Sequence, residues 1–468
     1  MNRDYFGTDG IRGPYGGPII NEAFATRLGV SVGRWLKTRS MAQGGGGGHR
    51  SNEVLVGWDT RFSGKSLADA IALGLASEGW LPVSLGVLPT PAIAWAVRKS
   101  GAVLGVVITA SHNPASDNGF KFFEGDGRKL TDAEEAEIET ELANLAEKSD
   151  PGSDRVRWKE SNRAGSGISQ PSEIAADYIA AARAVLPAGA LVGWRIALDT
   201  ANGAACSTSA AVLRELGAEL IGIGNTPDGK NINAGVGSEH PELLCNRVRA
   251  GKARIGIAHD GDGDRCIVCD ESGEPLDGDE MMGILATRAL ECGKLAAKTL
   301  VTTVQSNLGL DAAVRAAGGR VVRTRVGDRY VIEGMRAEGA TLGGESSGHL
   351  IFSEISPSGD GLVAALKLIE AMLDTGEPLS LLRRRIKKFP QATAALAVRE
   401  KKPIRDLPSL LAAVKETETE FGDRGRVLVR YSGTECLLRL LVEGPDLPSV
   451  RSALGRLVAA AGADLDLL

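Results

Sequence analysis

The sequence is poor in aromatics: Phe, Trp and Tyr supply 4% of its 468 residues, against 60 glycines. Disorder and coiled coil are excluded all the same, because 43% of the residues are apolar and 24% charged, the make-up of a turn-rich α/β chain packed with Ala, Val and Leu. Neither sign of charge prevails, since 54 basic and 59 acidic side chains leave a net −5. That balance argues against nucleic acid or an anionic membrane as partner for the whole surface, and leaves room for an anion site built from a few arginines. Long apolar runs are missing too. The longest strongly apolar stretch, Gly101 to Ala110, is well short of the roughly 18 residues a membrane helix needs. The opening residues, Met1 to Gly7, hold acid and glycine where a signal peptide needs an apolar run of ~7–15 residues, so the chain reads as cytoplasmic. The six cysteines lack regular spacing and read as reduced thiols. One pair, Cys266 and Cys269, forms a C-x-x-C in a β-rich run, where side chains three apart face opposite sides, and no second ligand pair follows.

The length suggests three or four domains as a soft prior. Short apolar runs at 53–57 and 103–108 suit buried parallel strands, with a small-residue helix at 66–77 between them. Thr131 and Glu134 make a capping box that opens a charged helix running to about Lys148. Ser149 to Ser172 is Ser/Gly/Pro-rich and reads as a linker. The βα pattern restarts at Arg195–Asp199, with a helix near 207–216 and a strand at 253–258, and again at 298–304, with helices near 308–317 and 359–373. Three βα-rich units of about 100 residues result. After the basic stretch Arg383 to Lys388, read as a solvated linker because no aromatics interleave it, comes a shorter unit with strands near 426–431 and 437–443 and a helix from Ser449. The run Gly44 to Gly48 reads as a flexible surface loop.

Asp260-Gly-Asp262-Gly-Asp264-Arg265 is the strongest chemical signal. Three carboxylates at i, i+2 and i+4 on a glycine-flexed backbone need a cation, and hard oxygens point to Mg²⁺ or Ca²⁺. A catalytic Mg²⁺ loop is favoured over a solvated acidic turn. An EF-hand is disfavoured, although Glu271 stands at its twelfth position, because Arg265 occupies the place of the required glycine and strands flank the loop. Ser111, in Thr109-Ala-Ser-His-Asn-Pro114, follows a buried strand, where α/β sheets place chemistry; a plain polar turn is the competing reading. Gly344-Glu-Ser-Ser-Gly348 matches the nucleophile elbow of serine hydrolases, but a strand, His349 to Phe352, follows where the elbow needs a helix. Ser63 to Ser66 resembles the tail of a nucleotide loop, yet Asp59 stands at the first glycine's place. Arg430-Tyr-Ser432-Gly433-Thr434-Glu435, with Arg439 beyond, offers guanidinium, hydroxyls and a glycine-exposed amide, the parts of a phosphate cradle or of an ordinary turn.

Together with Phe6 to Gly13, Asn118 to Lys121, Pro227 to Asn233 and Val326 to Tyr330, these segments resemble the α-D-phosphohexomutase superfamily, in family order and over essentially the whole chain. The glucosamine branch is closer than the phosphomannomutase or phosphoglucomutase branches. Two positions depart from its pattern: Ser346 stands where a Gln or Asn is usual, and Cys436 where a proline is. The resemblance implies three related βα-rich mixed-sheet domains plus a smaller α+β carboxyl-terminal domain around a central cleft. Their spans would be 1–160 with a phosphoserine loop, 172–276 with a metal loop, 277–388 with a sugar loop and 389–468 with a phosphate loop. It further implies interconversion of glucosamine 6-phosphate and glucosamine 1-phosphate through a 1,6-bisphosphate, feeding UDP-N-acetylglucosamine and cell-wall synthesis.

By the same resemblance Ser111 is phosphorylated, and Mg²⁺ is held by Asp260, Asp262, Asp264 and a phosphate oxygen on Ser111. Lys121 and His349 are the acid–base candidates, Lys121 with its pKa lowered by Mg²⁺ and arginines; a plain phosphate contact is the alternative for Lys121. Arg265 lies near the phosphoserine, His112 orients the loop, Arg12 reaches into the cleft, and Glu345 and Ser347 hold sugar hydroxyls. Arg430, Ser432, Gly433, Thr434 and Arg439 hold the distal phosphate. A hexosamine or hexose 1,6-bisphosphate is the expected activator. The expected partner is a small sugar phosphate, with neither nucleic acid nor membrane, and a homodimer is compatible with the family.

Overall fold

The computed structural model describes residues 4–42, 51–145, 171–432 and 436–468. The Gly44–Gly48 run, most of the 149–172 linker, Gly433 and Thr434 lie outside the described residues.

Four sheets follow one another along the chain. The first comprises β1 (Ile11–Pro14), β2 (Glu53–Trp58), β3 (Leu81–Val87), β4 (Leu104–Ile108) and β5 (Asp117–Glu124), in the order β1-β5-β4-β2-β3. Strands β2, β3 and β4 run parallel, while β5 is antiparallel to both β4 and β1. The second repeats the plan with β6 (Arg195–Asp199), β7 (Glu219–Ile223), β8 (Ile255–His259), β9 (Cys266–Cys269) and β10 (Pro275–Leu276), ordered β10-β9-β8-β6-β7. The third holds β11 (Thr299–Thr303), β12 (Arg320–Thr324), β13 (Leu342–Gly344) and β14 (Leu350–Phe352), ordered β12-β11-β13-β14. The inner parallel strands β2, β4, β6, β8 and β11 are buried almost end to end, as expected where helices cover both faces, whereas the outer strands β7 and β12 are part-exposed. The fourth sheet is different, an antiparallel β15 (Gln391–Ala397), β17 (Leu437–Glu443) and β16 (Arg426–Tyr431). The mixed-sheet α/β architecture with a smaller last unit matches the sequence reading. Among the described residues no helix is long and apolar enough to cross a membrane.

Local signals explain the boundaries. Thr131 Oγ1 accepts from the Glu134 amide while the Glu134 carboxylate accepts from the Thr131 amide, so the helix Asp132–Asn144 starts on the capping box as read. The helix at 361–375 is capped by Asp360. One buried apolar cluster runs through the first three units, from Leu55 to Ile386, whereas the fourth packs its own core of Val398, Leu410, Phe421, Leu440 and Leu457.

Arg383 to Lys388 is not a solvated linker. Arg383 pairs with Asp270 at 3.1 Å and Glu280 at 2.7 Å, Arg385 with Glu291 at 2.7 Å, and Lys388 with Asp277 at 2.6 Å. These cations fasten the segment to the carboxylates flanking β10 and to the helix after it. Their partners, more than a hundred positions upstream in the case of Asp270, carried no local signal.

Candidate active site

Three loops at strand ends meet where the first three sheets converge. The segment after β4 carries Ser111, whose side chain is buried and whose backbone adopts the left-handed region, φ 53°. A non-glycine residue holds that conformation only when its surroundings over-determine it. Here the Ser111 amide donates to Thr109 Oγ1 at 2.9 Å, and its carbonyl accepts from Arg61 Nη2 at 3.0 Å and Asn233 Nδ2 at 2.8 Å. Arg61, buried and ion-paired with Asp59 at 2.9 Å, also donates to the Asn113 and Asp117 carbonyls. Arg61 and Asn233 are the loop's real anchors, and the sequence reading missed the first. The signal was there in Asp59, noted only as a misfit to a nucleotide loop.

Ser111 Oγ donates to Asp260 Oδ2 at 2.5 Å. Asp260, Asp262 and Asp264 lie on the loop joining β8 to β9, and one oxygen from each falls within 4.8 Å of the others. Glycine is required here for two reasons. Gly263 takes φ 72°, and a Cβ on Gly261 would stand 2.6 Å from the Ser111 carbonyl oxygen. Strands flank the loop and Glu271 binds the Ser380 amide, so the EF-hand reading is rejected. Burial, together with Asp262 and Asp264, pushes the Asp260 carboxyl well above its ordinary pKa. Asp262 Oδ1 and Asp264 Oδ1 are buried and accept no hydrogen bond. Orphaned, hard, mutually repelling oxygens are a donor set that fits Mg²⁺.

Lys121, fully buried on β5, places Nζ 2.8 Å from Asp262 Oδ2, 2.9 Å from Asp264 Oδ2 and 3.2 Å from Asp9 Oδ2. Burial opposes its charge, but the three carboxylates outweigh burial and Arg12 and raise its pKa well above the ordinary value. The direction is opposite to the sequence expectation. Carboxylates, not arginines, dominate its surroundings, and a cation on the loop would compete with Lys121 for them. His349 sits between two acids, Nδ1 3.5 Å from Asp264 Oδ1 and Nε2 3.4 Å from Asp328 Oδ2. Burial works against its protonation, and Asp264 and Asp328 overcome it to raise its pKa. Burial and the cations Arg265 and Arg12 lower His112 to about 4. It is thus a neutral acceptor for Arg265 Nη1 at 3.0 Å, 3.5 Å from Ser111 Oγ, which suits an orienting role.

Above this floor opens a cleft of about 460 Å³, lined by Arg12, His112, Arg265, Glu345, His349, Arg430, Ser432 and Arg439 among others. Glu345 belongs to the tight β13–β14 hairpin, where its Oε1 accepts from the Gly327 amide at 2.9 Å. An antiparallel hairpin, not a strand–turn–helix, carries Gly344–Gly348, and this rejects the hydrolase elbow. Ser347 Oγ is buried without a hydrogen-bond partner. At the far end Arg430 and Arg439 face each other directly across β16 and β17, and Ser432 follows at the strand end. Three cleft residues were given no role in the sequence reading: Lys129, and Asp9 and Asp328, although these two stand in segments that carry the family resemblance. Lys129 pairs with both Asp9 and Asp328, and Asp9 also with Arg12. Burial raises the Asp9 pKa, but Arg12, Lys121 and Lys129 win and hold it well below the ordinary range. The C-x-x-C forms no site: Cys269 Sγ lies 3.1 Å from Cys245 Sγ, and Cys266 is buried apart.

Four family models match in succession: phosphoglucomutase/phosphomannomutase alpha/beta/alpha domain I over residues 3–149, domain II over 176–273, domain III over 277–389, and the C-terminal domain over 394–459. A relative named phosphoglucosamine mutase, from Pelobacter propionicus, is 45% identical over 442 residues, 94% of this chain and 94% of its own length. Among solved structures, a phosphoglucomutase/phosphomannomutase family protein from Burkholderia thailandensis superposes with a TM-score of 0.79 at 24% identity, covering 98% of each chain. N-acetylphosphoglucosamine mutase of Aspergillus fumigatus, solved with GlcNAc-6P and magnesium, gives a TM-score of 0.64 at 16% identity over 98% of this chain and 96% of its own.

Proposed function

The chain belongs to the phosphoglucomutase/phosphomannomutase family of isomerases, which act by phosphoryl transfer, and from that premise we propose that it interconverts glucosamine 6-phosphate and glucosamine 1-phosphate through a phosphoserine at Ser111. The observation that carries this reading is one cleft lined both by His112 and Arg265, beside the buried Ser111–Asp260 contact, and by the opposed Arg430–Arg439 pair. A nucleophile faces one end of a bound sugar and a cation pair faces the other.

In this reading Asp260, Asp262 and Asp264, with an oxygen of the Ser111 phosphate, hold Mg²⁺, which when bound neutralises charge on the phosphoryl group in transit. The sugar enters with its 6-phosphate on Arg430, Ser432 and Arg439 and its O1 toward Ser111. The O1–phosphorus bond forms as the bond from phosphorus to Ser111 Oγ breaks, and the O1 proton passes to Lys121 or His349, whichever has lost its own proton once the loop carboxylates beside it are engaged by the cation, and is relayed to the departing Ser111 Oγ. The resulting 1,6-bisphosphate turns over in the cleft, its 6-phosphoryl returns to Ser111, O6 regains a proton from the same pair, and glucosamine 1-phosphate leaves. Arg265, half-buried and donating to His112 Nδ1, stabilises the phosphoserine end. Glu345 and Ser347 hold sugar hydroxyls, and Arg12 lines the entrance.

An unphosphorylated Ser111 needs a hexosamine or hexose 1,6-bisphosphate as donor. The four units would divide as 1–160, 172–276, 277–388 and 389–468. The product suits UDP-N-acetylglucosamine synthesis for the cell wall, in the cytoplasm. Turnover of glucosamine, glucose and mannose 6-phosphates, each with its bisphosphate, tests the substrate: glucosamine 6-phosphate should give the highest kcat/KM, and a higher value for either of the others overturns the assignment.

A further inference from the structure

We propose that Thr90 is a positioning residue for the cation: its hydroxyl fixes the Asp262 carboxylate so that one oxygen stays free for the ion. The inference rests on the reading of Asp260, Asp262 and Asp264 as a Mg²⁺ site. Thr90 opens the helix Thr90–Ser100, which follows β3 in the first unit, whereas Asp262 lies on the loop between β8 and β9 in the second. Two hydrogen bonds join them across the units. Thr90 Oγ1 donates to Asp262 Oδ2 at 2.6 Å, and the Thr90 amide donates to the Asp262 carbonyl at 2.9 Å. Both residues are buried.

The local sequence explains the backbone contact. The residue before the helix is Pro89, whose side chain offers no cap, so the first helical amide needs an acceptor from elsewhere. The Asp262 carbonyl supplies it. A Cβ on the next residue, Gly263, would stand 3.1 Å from Pro89 Cβ, so the metal loop rests closely on this turn. From the other side the Gly361 amide donates to the Gly263 carbonyl at 3.1 Å. The first and third units thus grip the loop backbone between them.

The side-chain bond then divides the two oxygens of Asp262 between two tasks. Oδ2 accepts from Thr90 and, at 2.8 Å, from Lys121 Nζ, while Oδ1 accepts no hydrogen bond. A carboxylate held through one oxygen from two directions cannot swing, and its other oxygen is presented in place. Lys121 alone is a poor anchor, because its ammonium is shared with Asp264 and Asp9 and is a proton carrier in the proposed reaction. Thr90 has no charge to lose and keeps its hold throughout. Ser111, whose hydroxyl also donates to the triad, at Asp260, is the reacting group, which leaves Thr90 to orient. Partners that hold a metal-ligating carboxylate in this way are worth about 10- to 100-fold in metal affinity.

The test is Mn²⁺ binding followed by electron paramagnetic resonance, with Mg²⁺ as competitor, in wild type, Thr90→Val and Thr90→Ser. Each protein is first charged with glucose 1,6-bisphosphate, desalted and checked by mass for the same phosphate content. Thr90→Val keeps the shape and removes the hydroxyl, and should weaken Mn²⁺ about tenfold, whereas Thr90→Ser should stay within about threefold of wild type. The Mg²⁺ concentration that gives half-maximal turnover should follow the same order. An unchanged Mn²⁺ affinity in Thr90→Val, or an equal loss in Thr90→Ser, would overturn the proposal and leave Thr90 as packing at the start of its helix. If Thr90→Val does not fold, as judged by melting in chelator, Thr90→Ala takes its place. Asp262→Asn judges the premise separately. If that variant binds Mn²⁺ as tightly as wild type, the metal reading fails; if it loses Mn²⁺ while Thr90→Val keeps it, only this proposal fails.

Discussion

Replacing Arg430 should weaken both ends of the reaction alike. Arg430 and Arg439 occupy directly opposed positions on neighbouring antiparallel strands, a placement in which like charges repel. Burial and the Arg439 charge both lower the Arg430 pKa, as expected of two like charges held side by side. In Arg430→Ala the lost charge-assisted contact should cost about 1.5–3 kcal/mol of phosphate binding, roughly 10- to 150-fold in Kd. Without ligand the same change removes a repulsion of about 0.2–1 kcal/mol, so the free variant should melt no lower than wild type while its stabilisation by ligand shrinks. The assay must be equilibrium binding, because kcat/KM in the two directions is tied by the reaction's equilibrium constant and cannot report an asymmetry. Calorimetry with glucosamine 6-phosphate and glucosamine 1-phosphate separately should show similar losses. An unchanged affinity, or a loss confined to one monophosphate, would refute a cradle that holds whichever phosphate is not reacting.

Ser111→Ala should abolish multiple turnover, and peptide mapping of the wild type should find its phosphate on Ser111; phosphate on another residue, or full turnover in the variant, contradicts the assignment. Exhaustive chelation should stop turnover and added Mg²⁺ should restore it, so full activity in chelator would remove the three aspartates from catalysis. Arg329→Ala should destabilise the fold by about 3–5 kcal/mol in denaturant melts, because it strips the buried Glu135 of its guanidinium; a loss below about 1 kcal/mol would place that pair among the weak surface bridges. Burial raises the Asp360 pKa to about 6, above its unfolded value, so the native state binds this proton more tightly and stability falls as pH rises from about 4 to about 6. Asp360→Asn should therefore gain about 1–3 kcal/mol over wild type at pH 7.5 and nothing below pH 4, and a gain independent of pH would show that the carboxyl does not titrate there.

Much of this site is legible before any coordinates. Asp260 to Asp264 and Thr109 to Pro114 carry their chemistry in consecutive residues, where spacing and glycine placement are visible. Contiguous apolar strands such as β4 and β6 also announce themselves. What stays hidden is pairing across distance. Asp9, Lys129 and Asp328 form one ion-pair chain from three remote positions; Asp9 and Asp328 stand inside segments that carry the family resemblance, Phe6 to Gly13 and Val326 to Tyr330, but nothing local shows that they share Lys129. The sense of the Lys121 shift failed for the same reason: it depends on which charges surround the ammonium, and Asp9, Asp262 and Asp264 come from two units. Strand β5 was passed over because Asp117–Glu124 is buried along both faces while its sequence mixes Asn, Lys and Gly with Phe, so no period of two appears.

The central claim is that the phosphoryl group on Ser111 is the one delivered to the sugar. Enzyme carrying a labelled phosphoryl group, mixed with unlabelled glucosamine 6-phosphate, tests it in one turnover. The label should leave the protein, appear in the 1,6-bisphosphate and end at position 1 of glucosamine 1-phosphate, while Ser111 becomes phosphorylated again from the unlabelled 6-position. Label that stays on the protein while glucosamine 1-phosphate accumulates would contradict the account.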